Sequence, residues 1–494
     1  YEICACLVGS EMCIRDSSDT DPNNRYQKAY NLIGDVYAGY MSGTNNWDGG
    51  TNPQIYALNG SDWCNVPFSE SFTNVMPAWL QLKYAHANGL LSDDIFAVAN
   101  ILKVMSLHRV SDIYGPLPVL HFGETENPYN SQEECYMHFF ETLDSAIAVL
   151  KDVVENNPDA KPLEEVDALY HGDYSKWLKL ANSVKLRLAM RICYVKPDLA
   201  KQYAMEAVRD GVMETADDSA LFQSWGSITI INPLEKIWNG YSDTRMGASM
   251  DSYLNGYNDP RLPVYFQPVT EGDNKGEYRG VANGMPNPQQ DDYKAMSAPN
   301  VQEKSTDSPL RWMMASEVAF LRAEGAMRGW TAEMGGTAEE FYNKGIELSF
   351  LENGLSADAA ARYAADETSK PTDFTDVSAA NTKYNISALG KITIKWNAGA
   401  SEEEQLERII TQKWIAMFPN GTEAWSEFRR TGYPLIFPVR SNYPTSGVDT
   451  NKQIRRMVFP QSEYSNNGAA VQEAVKLLGG PDNGGTKLWW DKKN

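Results

Sequence analysis

WLKLANSVKLRLAMRI, residues 177–192, decides the fold. Trp177, Leu180, Val184, Leu188 and Ile192 recur at three- and four-residue steps, while Lys179, Lys185 and Arg187 stand off that line. This is the period of an amphipathic helix. Upstream, Ser131 and Glu134 form a capping box ahead of Tyr136, Phe139, Leu143, Ile147 and Leu150, so helices over 132–156 and 174–195 make a pair. A second pair, 72–87 with 92–109, has Ser92-Asp93-Asp94 as its inner cap and Ile95, Val98, Leu102 and Met105 as its stripe. A third, 316–329 with 338–351, is marked by Val318, Leu321, Phe341 and Leu348. The last, 402–418 with 422–429, runs from Ser401 and Glu404 through Leu406, Ile410, Trp414 and Met417 to Trp425 and Phe428. Consecutive helix–turn–helix pairs predict a mainly α fold with tetratricopeptide-like packing, although no 34-residue repeat is visible. An irregular α bundle is the competing arrangement.

Between these pair blocks (72–109, 132–195, 316–351 and 402–429) lie stretches without helical period. Residues 40–70 are rich in Gly, Asn, Trp and Tyr, 221–310 carry turn signals such as Asn232-Pro233 and Asn258-Asp259-Pro260, and 431–494 read as loops with short extended pieces. Lys391–Trp396 reads the same way. Long irregular segments inside a compact domain are usually functional. No linker of biased composition divides the chain, so 18–494 is expected to form a single domain: a helical scaffold under a large loop-rich lobe with a few short strands. YEICACLVGSEMCIRDS (1–17) fits nothing downstream; VGSEMCIRDS resembles a translated sequencing-adaptor read-through, and the segment is expected to be non-native and dispensable.

The 494 residues carry 44 Lys+Arg against 65 Asp+Glu, a formal charge of −21, which argues against a nucleic-acid partner. No run of 18 apolar residues occurs to span a bilayer. Three of the six cysteines (Cys4, Cys6 and Cys13) sit in the first segment. Cys64, Cys135 and Cys193 are isolated, without CxxC spacing, and are expected to be buried thiols.

The search for catalytic chemistry yields little. The five histidines are scattered without metal-ligand spacing, and no GxSxG, P-loop or GxGxxG occurs. Asp19–Asn23 opens like a calcium loop, but Asn24 replaces the required Gly and Tyr30 the closing Glu. Acid runs at Asp217-Asp218, Asp291-Asp292 and Glu402-Glu403-Glu404 read as solvated loops and helix starts. No catalytic residue, metal or cofactor is assigned.

What remains is aromatic and amide-rich loop material. Trp47, Asp48, Asn52, Tyr56, Asn59, Asp62 and Trp63 form one group; Trp225, Asn232, Trp238, Asn239, Tyr241 and Asp243 form another. Flat rings beside short polar side chains suit a sugar site, the ring packing on the C–H face of a pyranose while amides and carboxylates bind its hydroxyls. Candidate ligand contacts are Trp47, Asp48, Asn52, Trp63, Trp225, Asn239, Tyr241 and Trp312, with Tyr253 and Tyr257 as the next place to look. The opposing reading is that these rings anchor loops to the scaffold.

Several strings are familiar in their order: Val110–Pro118 (VSDIYGPLP), Trp177–Ile192, NDPRLPVYF (258–266), SEVAFLRAEGAMRGW (316–330), ITQKWIAMFPNGTEAW (410–425), RRTGYP (429–434), RRMVFPQSEYSNN (455–467) and TKLWWD (486–491). From about residue 21 to the C-terminus the chain resembles the SusD/RagB family of nutrient-binding outer-membrane lipoproteins, in its SusD-like branch. The resemblance implies four tetratricopeptide-like helix pairs under a loop lobe, and a surface-exposed lipoprotein that lids a SusC-like TonB-dependent transporter and captures oligosaccharide or another nutrient. It also implies no catalysis, and membrane attachment only through an N-terminal lipid anchor not recognisable in this sequence. The alternatives are an all-α glycan-degrading enzyme and a tetratricopeptide-type protein-interaction module. Within the scaffold, Arg187 and Arg191, at i and i+4, are expected to pair with acids such as Glu317 and Glu324, and Arg429, Arg430, Trp414 and Trp425 to hold the fold.

Overall fold

The computed structural model of the chain describes residues 22–45, 53–58, 62–301 and 308–493. The 1–17 segment lies outside them. Numbering the longer helices in chain order, α1 begins at Pro22–Tyr26 and continues as a π-helical turn over Gln27–Asp35. The predicted pairs follow: α2 (Met76–Ala87) with α3 (Asp93–Tyr114), and α4 (Gln132–Asn156) with α5 (Tyr174–Arg191). Next come α6 (Pro197–Asp210), α7 (Ala248–Gly256), and the pair α8 (Ala315–Met327) with α9 (Ala338–Leu351). Last are α10 (Ala357–Ala364), the pair α11 (Glu402–Ala416) with α12 (Gly421–Thr431), and α13 (Gln461–Leu478). Neighbouring helices stack in series from α2 to α6, α5 bridges to α8, and α8 packs on both α9 and α11. The architecture is therefore mainly helical and tetratricopeptide-like.

One expectation changes. The 431–494 stretch is not all loop, because α13 occupies its middle; only Val471 and Ala474 of that helix are buried, so it shows no apolar stripe. Lys391–Trp396 joins no ladder. Ile392 and Ile394 are buried while their carbonyls accept from Tyr257 Oη (3.0 Å) and Tyr342 Oη (2.5 Å), so side chains occupy the backbone acceptors a strand partner would use.

The strands are few and short. Among the described residues β1 (Met41–Gly43) pairs antiparallel with β3 (Thr244–Met246), and β2 (Ala220–Phe222) with β4 (Leu310–Met313). One apolar core runs from Ile33 to Trp490, and a smaller one under the loops gathers Val269, Val281, Tyr293, Met296, Phe374 and Phe437. Helix α1 lies against α12 so closely that a Cβ on Gly34 would meet Thr422 N at 2.5 Å, and one on Gly421 would collide with Asp35 N. Cys64, Cys135 and Cys193 are buried, as expected.

At the heart of the scaffold the helices are tied by buried charge. Arg187 forks onto Glu317 with two 2.7 Å bonds, as expected. Arg191 does not reach Glu324; it bonds Glu423 and Glu427, one carboxylate per terminal nitrogen, and its Nε lies 3.3 Å from Asp112. Glu324 takes Arg430 at 2.6 Å and Arg328 at 2.7 Å instead. Lys413 and Arg430 complete Glu427. Arg429 donates to the carbonyls of Asp112 and Arg455, with its guanidinium 3.6 Å from the Trp425 ring centroid. Trp414 and Trp425 are buried scaffold rings.

Burial acts upward on these carboxyls, but the cations outweigh it. Arg430 and Arg328 hold Glu324 down to about 2, and Arg191 and Arg187 hold Glu423 down to about 2. Both carboxyls ionise more readily folded than unfolded, so their contribution is present above about pH 4.5 and is lost as pH falls towards 2. The melting temperature is accordingly expected to fall steeply between about pH 4.5 and 2 in a thermal scan series. Glu423→Gln should flatten that dependence from a lower starting stability, and an unchanged slope in this variant would remove Glu423 from the account.

Candidate functional site

The two loop stretches singled out by composition meet. Strand β1 lies against β3 with Ser42 opposite Arg245, and Thr44 continues the contact by donating from N to Asp243 O (3.1 Å) and from Oγ1 to Ser242 O (2.5 Å). Helix α1 runs beside both. Gln27 Nε2 donates to Asp243 Oδ2 at 3.1 Å, and Lys28 Nζ sits 4.7 Å from the centre of the Trp63 ring. Burial raises the Asp243 carboxyl to about 6, so its charge state is sensitive near neutrality.

From this junction a turn of helix projects a ring and an amide. Asn232 Oδ1 accepts from Leu234 N (3.1 Å) and, with Pro233 behind it, starts a short helix. It passes at once into a π-helical turn over Lys236–Gly240, which carries Trp238 and Asn239. Such turns are rare and occur often at functional sites. Trp238 and Asn239 form one wall of an open cleft of about 230 Å³, whose other walls bring Gln267, Thr270, Glu271 and Lys294.

The cleft is braced rather than loose. Arg245, buried between its walls, donates from Nη1 to Trp238 O (3.0 Å) and from Nε to Lys294 O (2.9 Å). Burial lowers its guanidinium to about 10, leaving it cationic at neutral pH. The indole Nε1 of Trp238 donates to Val301 O (3.1 Å), fixing the ring, which stays partly exposed. Asn239 Nδ2 donates to Glu235 (3.0 Å) and Gln267 Nε2 to Pro299 O (3.1 Å), so both amides are oriented before any ligand arrives. A flat apolar face beside amide, hydroxyl, carboxylate and ammonium groups is chemically suited to a polyhydroxylated ring.

The other candidates are spread more widely. Trp225 stacks on His171 with centroids 3.6 Å apart and donates to Glu164 O (2.5 Å), away from the cleft walls. Tyr241 accepts at its carbonyl from Gln290, and its ring faces Lys236 Nζ at 5.4 Å. Trp312 is 3% exposed and stacked on Phe222, edging a separate narrow cavity with Tyr26, Tyr30, Arg109 and Asn232. Trp47, Asp48 and Asn52 lie outside the described residues; the chain leaves towards them from Asn45 and returns at Pro53. Tyr253 and Tyr257 are core rings, 2% and 1% exposed, and offer no surface to a ligand. Trp238 belonged to the same aromatic stretch as Asn239, but Gln267, Thr270, Glu271 and Lys294 carry no local signal that marks them.

The acid runs do structural work. Asp218 binds Lys179 at 2.7 Å and accepts from Thr215 N (2.9 Å), Asp291 pairs with Lys294 (2.7 Å), and Glu404 with Arg408 (2.7 Å). His108 is buried on α3, donates from Nδ1 to Val104 O (2.8 Å), and is pushed down to about 3 by burial and nearby arginines, so it stays neutral.

Helix pairs, an irregular lobe and an open cleft of ring and amide groups define a tetratricopeptide-like scaffold with a candidate ligand site. The chain belongs to the SusD-like family: the family model described as Susd and RagB outer membrane lipoprotein matches residues 7–491. Among solved structures, a chitin-binding SusD homolog from Flavobacterium johnsoniae is 38% identical with a TM-score of 0.91, the match covering 100% of this chain and 99% of that one. A SusD-like protein from Bacteroides thetaiotaomicron is 37% identical (TM-score 0.90, covering 99% and 98%), and a SusD homolog from Bacteroides vulgatus 32% identical (TM-score 0.92, covering 100% and 98%). No curated protein sequence matches the chain. Members of this family are binding proteins rather than enzymes.

Proposed function

We propose that the protein captures an oligosaccharide at the outer face of the outer membrane and passes it to a SusC-like TonB-dependent transporter, without catalysing a reaction on it. An N-terminal lipid anchor would hold it there, with residues 18–494 as the folded unit. The observation that carries this reading is the Trp238–Asn239 cleft, in a chain 38% identical to a chitin-binding homolog. A pyranose ring would rest on the Trp238 face, with its hydroxyl or acetamido groups on Asn239, Gln267 and Thr270. Of the residues singled out by sequence, Asn239 lines the cleft; Trp63, Tyr241 and Trp225, with Trp47, Asp48 and Asn52, remain candidates for the surrounding contacts, whereas Trp312, 3% exposed, has little surface to offer.

The test is calorimetric titration with chitooligosaccharides alongside a glycan array. Trp238→Ala is expected to weaken binding by roughly thirtyfold, the worth of about 2 kcal/mol for a ring central to a site. Because the ring is partly exposed, the melting temperature should move little. Unaltered affinity would take Trp238 out of the site, and an array without any glycan ligand would overturn the carbohydrate reading. A chain lacking residues 1–17 is expected to melt at the same temperature as the full chain. A clear drop would make that segment part of the folded unit.

A further inference from the structure

A second cleft, of about 370 Å³, opens at the C-terminal end of α12, where the chain passes Gly432, Leu435 and Asn451. Its charge is opposite to that of the molecule. The protein as a whole carries −21, yet Arg429, Lys452, Arg455, Lys487 and Lys493 line this cleft, and among the described residues no acidic side chain does. Two acids stand behind these cations: Asp491 takes Arg455 at 2.6 Å and lies 3.7 Å from Lys487, and Glu403 takes Lys493. Arg455 also donates to Arg429 O (2.6 Å), and Lys493 Nζ to Thr431 O (2.8 Å). Asp112 stands near the buried Arg429 as well, so five cations face three carboxylates and an excess of positive charge remains at the cleft. Among the described residues Lys452 makes no ion pair and is exposed.

The rest of the lining is aliphatic. Ile386, Leu389, Leu435, Ile436 and Pro438 make its apolar surface, and Leu389 stands 41% exposed at the edge. Phe428, 7% exposed, is the one aromatic ring among the lining residues. This differs in kind from the Trp238 cleft, whose surface offers a flat ring and amides. Aliphatic groups have no preference for a pyranose face, whereas they gain by covering a hydrocarbon chain, and a cationic rim gains by meeting an anion.

We propose that this cleft binds a carboxylate carried on an aliphatic body, the carboxylate meeting Lys452 and its neighbours and the chain lying along Leu389 and Leu435. The probe is decanoate, titrated calorimetrically into the full chain, with acetate and a uronic-acid disaccharide as comparison arms. Decanoate is expected to bind at submillimolar concentration, acetate and the uronate far more weakly. Lys452→Glu reverses a rim charge and should weaken decanoate binding about tenfold. Leu389→Asp should weaken it comparably by placing a charge on the chain's path, and since both side chains are exposed both variants should melt like the parent protein. Chitooligosaccharide binding should be untouched in both. Absence of decanoate binding, or full binding in both variants, would overturn the proposal, and tighter binding of the uronate would overturn the aliphatic class.

Discussion

Arg191→Met is expected to destabilise the fold by about 3–5 kcal/mol, because it strands carboxylates that have no route to water. Arg191 supplies one terminal nitrogen to Glu423 and the other to Glu427, and its Nε faces Asp112 at 3.3 Å, all fully enclosed. Glu423 would keep only Arg187 at 3.8 Å, while Glu427 would keep Lys413 and Arg430. Equilibrium urea denaturation measures the effect. Arg191→Lys should fall between parent and methionine variant, since one ammonium cannot reproduce the planar fork. A loss below about 1 kcal/mol, the scale of an exposed pair, would mean that water reaches the network.

Leu188→Ala, one turn earlier on α5, should cost about 2–5 kcal/mol for a different reason. Leu188 is 0% exposed on a helix packed against α4, α6 and α8, so truncation removes buried methyl groups and leaves a cavity the surrounding helices are too constrained to fill. A change within about half a kcal/mol would be that of a surface position and would place the side chain outside the core. The two variants share one helix and overlapping neighbours, so their costs should not add in the double variant.

These positions show how far the sequence could be read. The stripe from Trp177 to Ile192 announced its helix because the buried residues were large and regularly spaced. Helix α6 escaped notice because its buried face is Ala200, Ala204 and Ala207, whose small side chains scarcely register as apolar, and α13 because Asn466-Asn467-Gly468 interrupts it. Charge pairing was legible only in part: Glu317 was the right partner for Arg187, but which acid meets Arg191 depends on how α12 docks, and no local spacing encodes that. The site is harder still. Trp225, Trp238 and Trp312 stand in similar loop contexts, yet one stacks on His171, one lines an open cleft and one is buried on Phe222. Composition marks the lobe; tertiary contacts decide which ring faces outward.

The π-helical turn at Lys236–Gly240 bears on how such a protein changes its diet. A π turn holds about one residue more than an α turn, and each residue of an α-helix advances the side chain by about 100°. Loss of a single codon within this segment would let the turn relax to ordinary helical winding and swing the indole of Trp238 out of the cleft, while the scaffold helices kept their register. Short insertions and deletions here, more than substitutions, would thus be the direct route to reshaping the proposed cleft.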